Sequence, residues 1–172
     1  LAFERSGSGP PFIILHGLFG SSTNWTSIAQ CLTKSYTVDR IDLRNHGASP
    51  WHDTMDYIAM ADDVKQFIEQ HQLENPIVLG HSMGGKVAMV LAVRYPILVK
   101  ALIVVDIAPV TTDTRHTSVV RALGNLNLLA VRRRRDAEAA LSYDIPDASL
   151  RQFLLQNLIR RKTGYAWRIN LR

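Results

Sequence analysis

The sequence predicts an α/β fold with a parallel, doubly wound sheet, and two observations support this prediction. Short apolar runs alternate with segments of helical periodicity over residues 12–106. Four apolar runs end at polar or glycine-rich turns, which begin at His16, Asp42, Ser82 and Asp106. Alternating strands and helices form right-handed crossovers and a parallel sheet. Since ligand sites of such sheets lie beyond the carboxyl ends of the strands, we expect one site at these four turns.

The first elements along the chain are two strands, a helix and a third strand. Leu1–Arg5 is a candidate edge strand, and the apolar run Phe12–Leu15 is typical of a buried strand. Thr23–Thr33 has apolar residues on one helical face behind a serine or threonine cap, which predicts a helix. Tyr36–Leu43 is the next predicted strand, and a polar turn follows it.

The next elements repeat this alternation. Tyr57–Leu73 carries apolar residues at helical spacing. Pro76–Leu79 is a short apolar strand that leads into a predicted helix over Lys86–Arg94. Pro96 stops that helix, and Ala101–Val105 is the last predicted strand.

Residues 111–172 show a different pattern, with helical stretches at Val119–Leu129, Asp136–Leu141 and Leu150–Leu158. No segment of this part predicts a strand. We therefore expect a core unit over residues 1–110 and a helical cap or lid over residues 111–172. Ordinary covering helices are the alternative interpretation of the second part.

The amino-acid composition limits the classes of protein to which this chain can belong. Hydrophobic residues make up 47% of the chain, enough for a packed core, and no apolar run approaches the ~18 residues that cross a membrane. The single Cys31 excludes an internal disulfide and fits a reducing compartment.

The net charge of +5 comes largely from Arg132–Arg135 and Arg160–Lys162. We interpret these runs as solvated helix faces rather than nucleic-acid or membrane surfaces, because no aromatic residues interleave the arginines and no nucleic-acid-binding motif accompanies them.

The segment Gly80-His81-Ser82-Met83-Gly84 carries the most specific motif. A G-x-S-x-G pattern between a strand and a helix is typical of a nucleophile elbow. Small residues on either side allow a sharp turn, and the helix end supplies N–H groups and positive potential for an oxyanion. We therefore predict that Ser82 is an acyl-accepting nucleophile. The predicted oxyanion donors are the backbone N–H groups of Met83 and Leu18.

A serine nucleophile needs a histidine base and an acid that orients the histidine. Asp106 is the predicted acid, because it ends the strand after the elbow unit, and Asp113 is the alternative. In this architecture the base follows the acid in the chain, and the only later histidine is His116. The base is therefore either His116 or absent from this chain. Of the earlier histidines, we expect His16 to position the oxyanion loop and His46 the neighbouring turn. His81 lies inside the elbow and is expected to point away from the Ser82 oxygen, and we interpret His52 and His71 as surface or packing residues. No histidine pair has convincing metal spacing, so we predict no metal.

Several motifs in order resemble one branch of the α/β-hydrolase superfamily. The branch contains abhydrolase domain-containing protein 11, bacterial acyl-CoA-type esterases and yeast ethanol acetyltransferases. The matching segments are His16–Gly20, Asp42–Pro50, Gly80–Lys86, Val105–Val110, Phe153–Leu158 and Trp167–Leu171. The resemblance implies a serine carboxylesterase or thioesterase for short acyl groups, without a cofactor, with its nucleophile at Ser82 and its acid at Asp106. The alternatives are acyl transfer to an alcohol and a catalytically silent chain that binds a partner.

The resemblance also implies a departure from the family pattern. Members of the branch continue past the cap, and a late Gly-His supplies the base. We therefore expect a C-terminally truncated chain, whether as a fragment, a truncated gene model or a short isoform. The strand before Asp106 would then present an open apolar edge that invites self-association. The implied compartment is the mitochondrion for an animal-like source and the cytoplasm otherwise.

Overall fold

The structure is a computed structural model of the chain and describes residues 1–111 and 116–171. It contains two compact units, Leu1–Pro109 and Val110–Arg172. The first unit holds the elements that carry the predicted site, and the second follows it in the chain. The role of the second unit as a cap stays a prediction.

A five-stranded sheet organises the first unit, and its strand order is β1-β3-β2-β4-β5. The strands are β1 (Phe3–Ser6), β2 (Pro11–Leu15), β3 (Thr37–Ile41), β4 (Ile77–His81) and β5 (Ala101–Val105). β1 is antiparallel to β3, and the other neighbours are parallel. The five strands correspond to the candidate edge strand and the four apolar runs, and the predicted α/β fold with a mostly parallel sheet is confirmed.

Three helices connect the parallel strands. They are α1 (Thr26–Leu32), which follows a 3-10 turn at Ser22–Trp25, α2 (Tyr57–Gln70) and α3 (Met83–Arg94). The side chain of Asp56 caps α2 by accepting a hydrogen bond from the Ala59 N–H at 2.7 Å, as N-cap carboxylates commonly do. α3 begins directly after Ser82, so the serine occupies the N-cap position of that helix.

Apolar side chains cover both faces of the sheet. Ile13 and Leu15 of β2 pack with α2 and α3 on one face, whereas Phe12 and Ile14 pack with α1 on the other. Successive side chains of a strand point to opposite faces. An uninterrupted apolar strand such as β2 is therefore buried on both sides, which is the doubly wound arrangement.

β5 is an edge strand, since it pairs only with β4 in the described sheet. Leu102 is 37% exposed and Ile103 is 40% exposed. Both exceed the exposure of the apolar residues in β2, which are buried. The edge of the sheet next to the predicted acid therefore presents apolar side chains.

The second unit combines three helices with a β-hairpin. Its elements are α4 (Thr117–Asn125), α5 (Arg134–Leu141), α6 (Ala148–Leu155), β6 (Leu158–Arg161) and β7 (Gly164–Trp167). The expectation of helices alone is wrong for residues 158–167. α6 ends at Leu155, before the first residue of β6. A two-residue turn, Lys162 and Thr163, joins β6 to β7. Gly164 begins β7, and its φ of 131° favours glycine. The Trp167 Nε1–H donates to the Leu123 carbonyl at 3.1 Å, which ties the hairpin to α4.

Within the part of the chain that the structure describes, no helix is both long and apolar enough to span a membrane.

Candidate active site

The turn between β4 and α3 holds Ser82 in a strained conformation. Its φ of 49° and ψ of −116° lie where non-glycine residues are rare. A Cβ on Gly80 would overlap the carbonyl oxygen of Gly84. A Cβ on Gly84 would lie 2.5 Å from the carbonyl oxygens of Leu15 and His16. The spacing of the two glycines therefore follows from the close approach of the helix start to β4 and β2.

Asp106 stands beside Ser82 at the carboxyl edge of the sheet. The Ser82 N–H donates to the carbonyl of Val105 at 3.0 Å, so the residues after β4 and β5 are adjacent. Asp106 has a φ of 56°, and its side chain is 85% exposed. Its carboxylate lies 3.7 Å from Nε2 of His81, which is beyond hydrogen-bond distance. The structure thus brings the predicted nucleophile and the predicted acid together, with an exposed carboxylate.

The loop after β2 passes directly beside the elbow. The Gly20 N–H donates to the Gly17 carbonyl at 3.0 Å and closes a turn. A Cβ on Gly17 would lie 3.3 Å from the Cβ of Ser82 and 2.8 Å from Nδ1 of His81. Only a residue without a side chain lets this loop approach the serine so closely.

Two backbone N–H groups near Ser82 are candidates for holding an oxyanion. Met83 is the first residue of α3, and the N–H groups of a first helical turn have no intrahelical acceptor. In the neighbouring loop, the N–H of Phe19 donates to His46, and the N–H of Ser21 donates to Asn24. No acceptor for the Leu18 N–H is found among the described residues. The Leu18 side chain packs against the cluster that contains Met83.

Two buried histidines fix the loops around the site. Nε2 of His16 accepts a hydrogen bond from the Leu43 N–H at 3.0 Å, and its Nδ1 contacts the next carbonyl at 2.8 Å. Nε2 of His46 accepts from the Phe19 N–H at 3.2 Å, and its Nδ1 contacts a carbonyl at 3.0 Å. These partners imply neutral rings with the proton on Nδ1. Burial lowers the pKa of His46. Both basic nitrogens are occupied, so neither ring is placed to take a proton from Ser82.

Asp42 is a structural carboxylate whose function sequence reasoning missed. It is buried, and its two oxygens accept hydrogen bonds from the N–H groups of Ser22 at 2.6 Å and Ala48 at 2.8 Å. Gly47 has a φ of 55°, and a Cβ there would overlap the Asp42 carboxylate. Asp42 therefore links the start of the first helical turn to the loop after β3. The available sequence signal was a glycine five residues after an aspartate that directly follows a strand.

Comparison with known proteins identifies the fold family. The family model described as the alpha/beta hydrolase fold matches residues 10–169. This chain belongs to the α/β-hydrolase fold family. The resemblance predicted from the motifs is thereby confirmed.

Three relatives illustrate how this α/β-hydrolase chain compares. It is 41% identical to the sn-1-specific diacylglycerol lipase ABHD11 of Xenopus tropicalis, over 98% of this chain and 56% of the relative. It is 49% identical to a probable alcohol acetyltransferase of Saccharomyces cerevisiae, over 59% of this chain and 31% of that protein. A solved marine microorganism esterase has a TM-score of 0.95 and 44% identity, over 99% of this chain and 68% of the esterase chain. The chain spans about half the length of the curated animal relatives that it matches.

The remaining predicted residues of the α/β-hydrolase chain lie elsewhere. His116 is exposed and precedes α4 in the second unit. His71 directly follows α2, and its ring packs against Phe3 and Phe67 at centroid distances of 4.7 Å and 4.4 Å. Asp113 lies outside the described residues. No group of three or more His, Cys, Asp or Glu side chains in residues 1–111 and 116–171 is arranged to hold a metal ion.

Proposed function

We propose that this chain carries the nucleophile, acid and oxyanion site of a serine hydrolase for short acyl esters or thioesters. The observation that carries the proposal is the strained Ser82 at the start of α3, adjacent to Asp106. Holding a serine in this conformation costs free energy, and such strain is concentrated at functional sites. Relatives named as a lipase and an esterase support a hydrolytic reaction.

In the proposed reaction, the Ser82 Oγ attacks the acyl carbonyl carbon and passes its proton to a histidine base. The carbonyl oxygen becomes an oxyanion between the N–H groups of Met83 and Leu18. Collapse of the tetrahedral intermediate breaks the bond to the alcohol or thiol, which leaves with the proton from the imidazolium. Water then attacks the acyl-enzyme by the same route and releases the carboxylic acid. Loss of one oxyanion donor typically lowers the rate ~10²–10³-fold.

The proposed base is a histidine outside residues 1–172, which Asp106 orients. His16 and His46 use both ring nitrogens for backbone contacts, and no hydrogen bond joins His81 to Ser82 among the described residues. The 85% exposure of the Asp106 side chain leaves its carboxylate accessible to such a partner. His116 is the competing candidate.

Chemical rescue distinguishes these two bases. Hydrolysis of p-nitrophenyl butyrate by the 172-residue chain is measured with and without 2-methylimidazole, and the rate of Ser82→Ala is subtracted. Loss of a triad member commonly lowers turnover ~10⁴–10⁶-fold. We expect little serine-dependent turnover alone and a saturable increase when the imidazole is added. Rapid turnover without imidazole that His116→Ala abolishes would contradict the proposed base.

An alcohol is the alternative to water as the acceptor of the acyl group. The 49% identity to a probable alcohol acetyltransferase favours a test of alcoholysis. Ethanol is added to the rescued reaction, and ethyl butyrate is measured against butyrate. Predominantly ethyl butyrate at low ethanol concentration would favour an acyltransferase, and butyrate would favour a hydrolase. Folded protein without any Ser82-dependent product would instead favour a silent, partner-binding chain.

The substrate class and the compartment are further parts of the proposal. A relative named as a diacylglycerol lipase makes glycerolipid esters a class to test beside short acyl-CoA thioesters. The predicted compartment remains mitochondrial for an animal-like source and cytoplasmic otherwise.

We also propose that two copies of this chain pair through β5. Leu102 and Ile103 are exposed on this edge strand, and no charged residue lies within it. Unprotected apolar edges template pairing with a second chain. Light scattering after gel filtration is expected to show a dimer, which Ile103→Lys converts to monomer. Val93→Lys, at an 82% exposed helix position, is the matched control. A monomeric parent chain would contradict the proposal.

A further inference from the structure

Positive charge is concentrated in the second unit. Residues 110–172 contain 12 Lys or Arg and 5 Asp or Glu, a formal charge of +7, whereas residues 1–109 contain 8 and 10, a formal charge of −2. Most of the excess lies in Arg132–Arg135 and Arg160–Lys162. The chemistry proposed for Ser82 uses none of these residues.

The structure brings the two basic runs together. The guanidinium group of Arg134 donates to the carbonyl of Leu155 and, at 2.8 Å, to the carbonyl of Leu158. These bonds hold the start of α5 against the start of β6. Arg160 follows Leu158 by two residues, a distance of about 7 Å along a strand. The two runs therefore lie close together in the second unit, and their exposed members other than Arg134 are called the basic face: Arg132, Arg133, Arg135, Arg160, Arg161 and Lys162. Because neighbouring residues of a strand point to opposite sides, Arg160 and Arg161 extend this face around the hairpin.

Helix stability does not explain this arrangement. Arg132–Arg135 stand at the N-terminal end of α5, where the helix dipole disfavours cations. Asp136 caps this end by accepting hydrogen bonds from the N–H groups of Arg132 at 3.0 Å and Arg133 at 2.8 Å. No salt bridge joins a residue of the basic face to a carboxylate in the described part of the chain. The side chains are exposed to solvent, and Arg133 and Arg135 interact electrostatically with the Asp136 carboxylate.

The sequence interpretation of solvated helix faces is also wrong in part. Arg160 and Arg161 belong to β6, and Lys162 stands in the two-residue turn of the hairpin. Lys162 is exposed at the tip of the hairpin and not on the side of a helix.

An exposed leucine accompanies the basic face. Leu129 is 95% exposed in a 3-10 turn at Leu128–Ala130, and this turn contacts β7 of the hairpin. Cations with an exposed apolar side chain are typical of proteins that lie on anionic membranes. Nucleic-acid surfaces commonly add exposed aromatic stacking residues, whereas the aromatic residue paired with Arg160, Tyr165, is partly buried. We infer that the basic face and Leu129 dock the second unit onto the surface of an anionic phospholipid bilayer.

Vesicle co-sedimentation tests this inference. The 172-residue chain is mixed with phosphatidylcholine vesicles that contain about 30% phosphatidylglycerol, and with pure phosphatidylcholine vesicles. We expect binding to the anionic vesicles only, and weaker binding as salt screens the charges. Each cation near an anionic surface strengthens binding about fivefold. The triple variant Arg132→Gln/Arg133→Gln/Arg135→Gln is therefore expected to bind about 100-fold more weakly.

A matched control separates the contribution of the basic face to vesicle binding from that of the net charge. Lys34→Gln/Lys65→Gln/Lys100→Gln removes the same charge from the first unit and is expected to bind within about threefold of the parent, since these lysines do not belong to the basic face. Leu129→Ser is expected to weaken binding about tenfold through lost apolar burial. Thermal unfolding of each variant checks that the chain still folds.

Three outcomes would overturn the inference. These are equal binding to neutral vesicles, equal loss of binding in the two triple variants, and tighter binding to a single-stranded RNA oligonucleotide than to anionic vesicles at the same salt. Ser82→Ala is expected to bind vesicles like the parent chain. The docking surface and the proposed hydrolase can therefore fail separately.

Discussion

Replacing Gly84 by alanine tests the close contact that shapes the elbow. The added Cβ would stand 2.5 Å from the carbonyl oxygens of Leu15 and His16, about 0.9 Å short of the 3.4 Å at which ordinary contact begins. Both oxygens belong to the backbone, so the start of α3 or the backbone of Leu15 and His16 must move. Overpacking typically costs about 1–3 kcal/mol, and more where backbone shifts. The gain in helix propensity, about 1 kcal/mol, offsets only part of this cost.

We therefore expect Gly84→Ala to lower the free energy of unfolding by about 2 kcal/mol. For a chain of this size, that corresponds to a fall in Tm of about 4–8 °C. A displacement approaching 1 Å in a catalytic site can lower the rate about 10²-fold. Calorimetry is suitable, because the two units need not unfold together. The rescued esterase assay reports the loss of activity.

Gly124→Ala is the matched control, since Gly124 also lies in a helix and a Cβ there has no neighbour within 4 Å. This substitution is expected to stabilise the second unit by about 1 kcal/mol. A Gly84→Ala variant as stable and as active as the parent chain would refute the argument from close contact.

Three further substitutions probe strain, protonation and ion pairing. Ser82→Gly relieves the positive φ and is expected to raise the free energy of unfolding by about 1 kcal/mol over Ser82→Ala, measured in urea; equal stabilities would argue against strain. Burial lowers the pKa of His46 below its ordinary 6.5, so the unfolded chain binds the proton first as pH falls. The free energy of unfolding is thus expected to decrease below about pH 6.5, and His46→Gln should flatten this dependence. Arg44 binds Asp63 through two nitrogens at 2.6 Å and 2.7 Å, which a lysine cannot reproduce. Arg44→Lys is expected to cost about 2 kcal/mol in urea unfolding. Lys65→Ala, at an exposed pair, should leave stability unchanged, and equal losses would contradict the geometric argument.

The positions of Ser82 and Asp106 were predictable because of parallel topology. Residues 77–81 and 101–105 are short apolar runs separated by a helical segment, and such units place their carboxyl ends at one edge of a sheet. Neighbouring strands then bring the residues after them together. The motif around the serine adds the helix start, so the local geometry follows from sequence without long-range information.

Contacts between distant segments were not predictable in the same way. The function of Asp42 depends on N–H groups 20 residues before it and 6 residues after it, and no local pattern specifies that both loops converge on one carboxylate. The ring contacts of His16 and His46 likewise depend on the folded loops. Sequence reasoning predicted supporting positions for these histidines but no partners.

The hairpin of the second unit was missed because its signals are weak. β6 follows α6 closely, and Leu154, Leu155 and Leu158 continue a helical spacing. The strands do not alternate clearly between apolar and polar residues, since Arg160 and Arg161 are adjacent. Gly164, with its positive φ, was the one local indication of a turn. Burial of Leu158 and the bond from Trp167 to Leu123 stabilise the hairpin, and both are tertiary contacts.

Peptide mass spectrometry tests directly whether Ser82 is the acylated nucleophile. The 172-residue chain is incubated with p-nitrophenyl butyrate and 2-methylimidazole, quenched in acid and digested. We expect a butyryl group on the peptide that contains Ser82, and no adduct on that peptide in Ser82→Ala. Hydrolysis that proceeds with the butyryl group on another residue, or equally well in Ser82→Ala, would contradict this expectation.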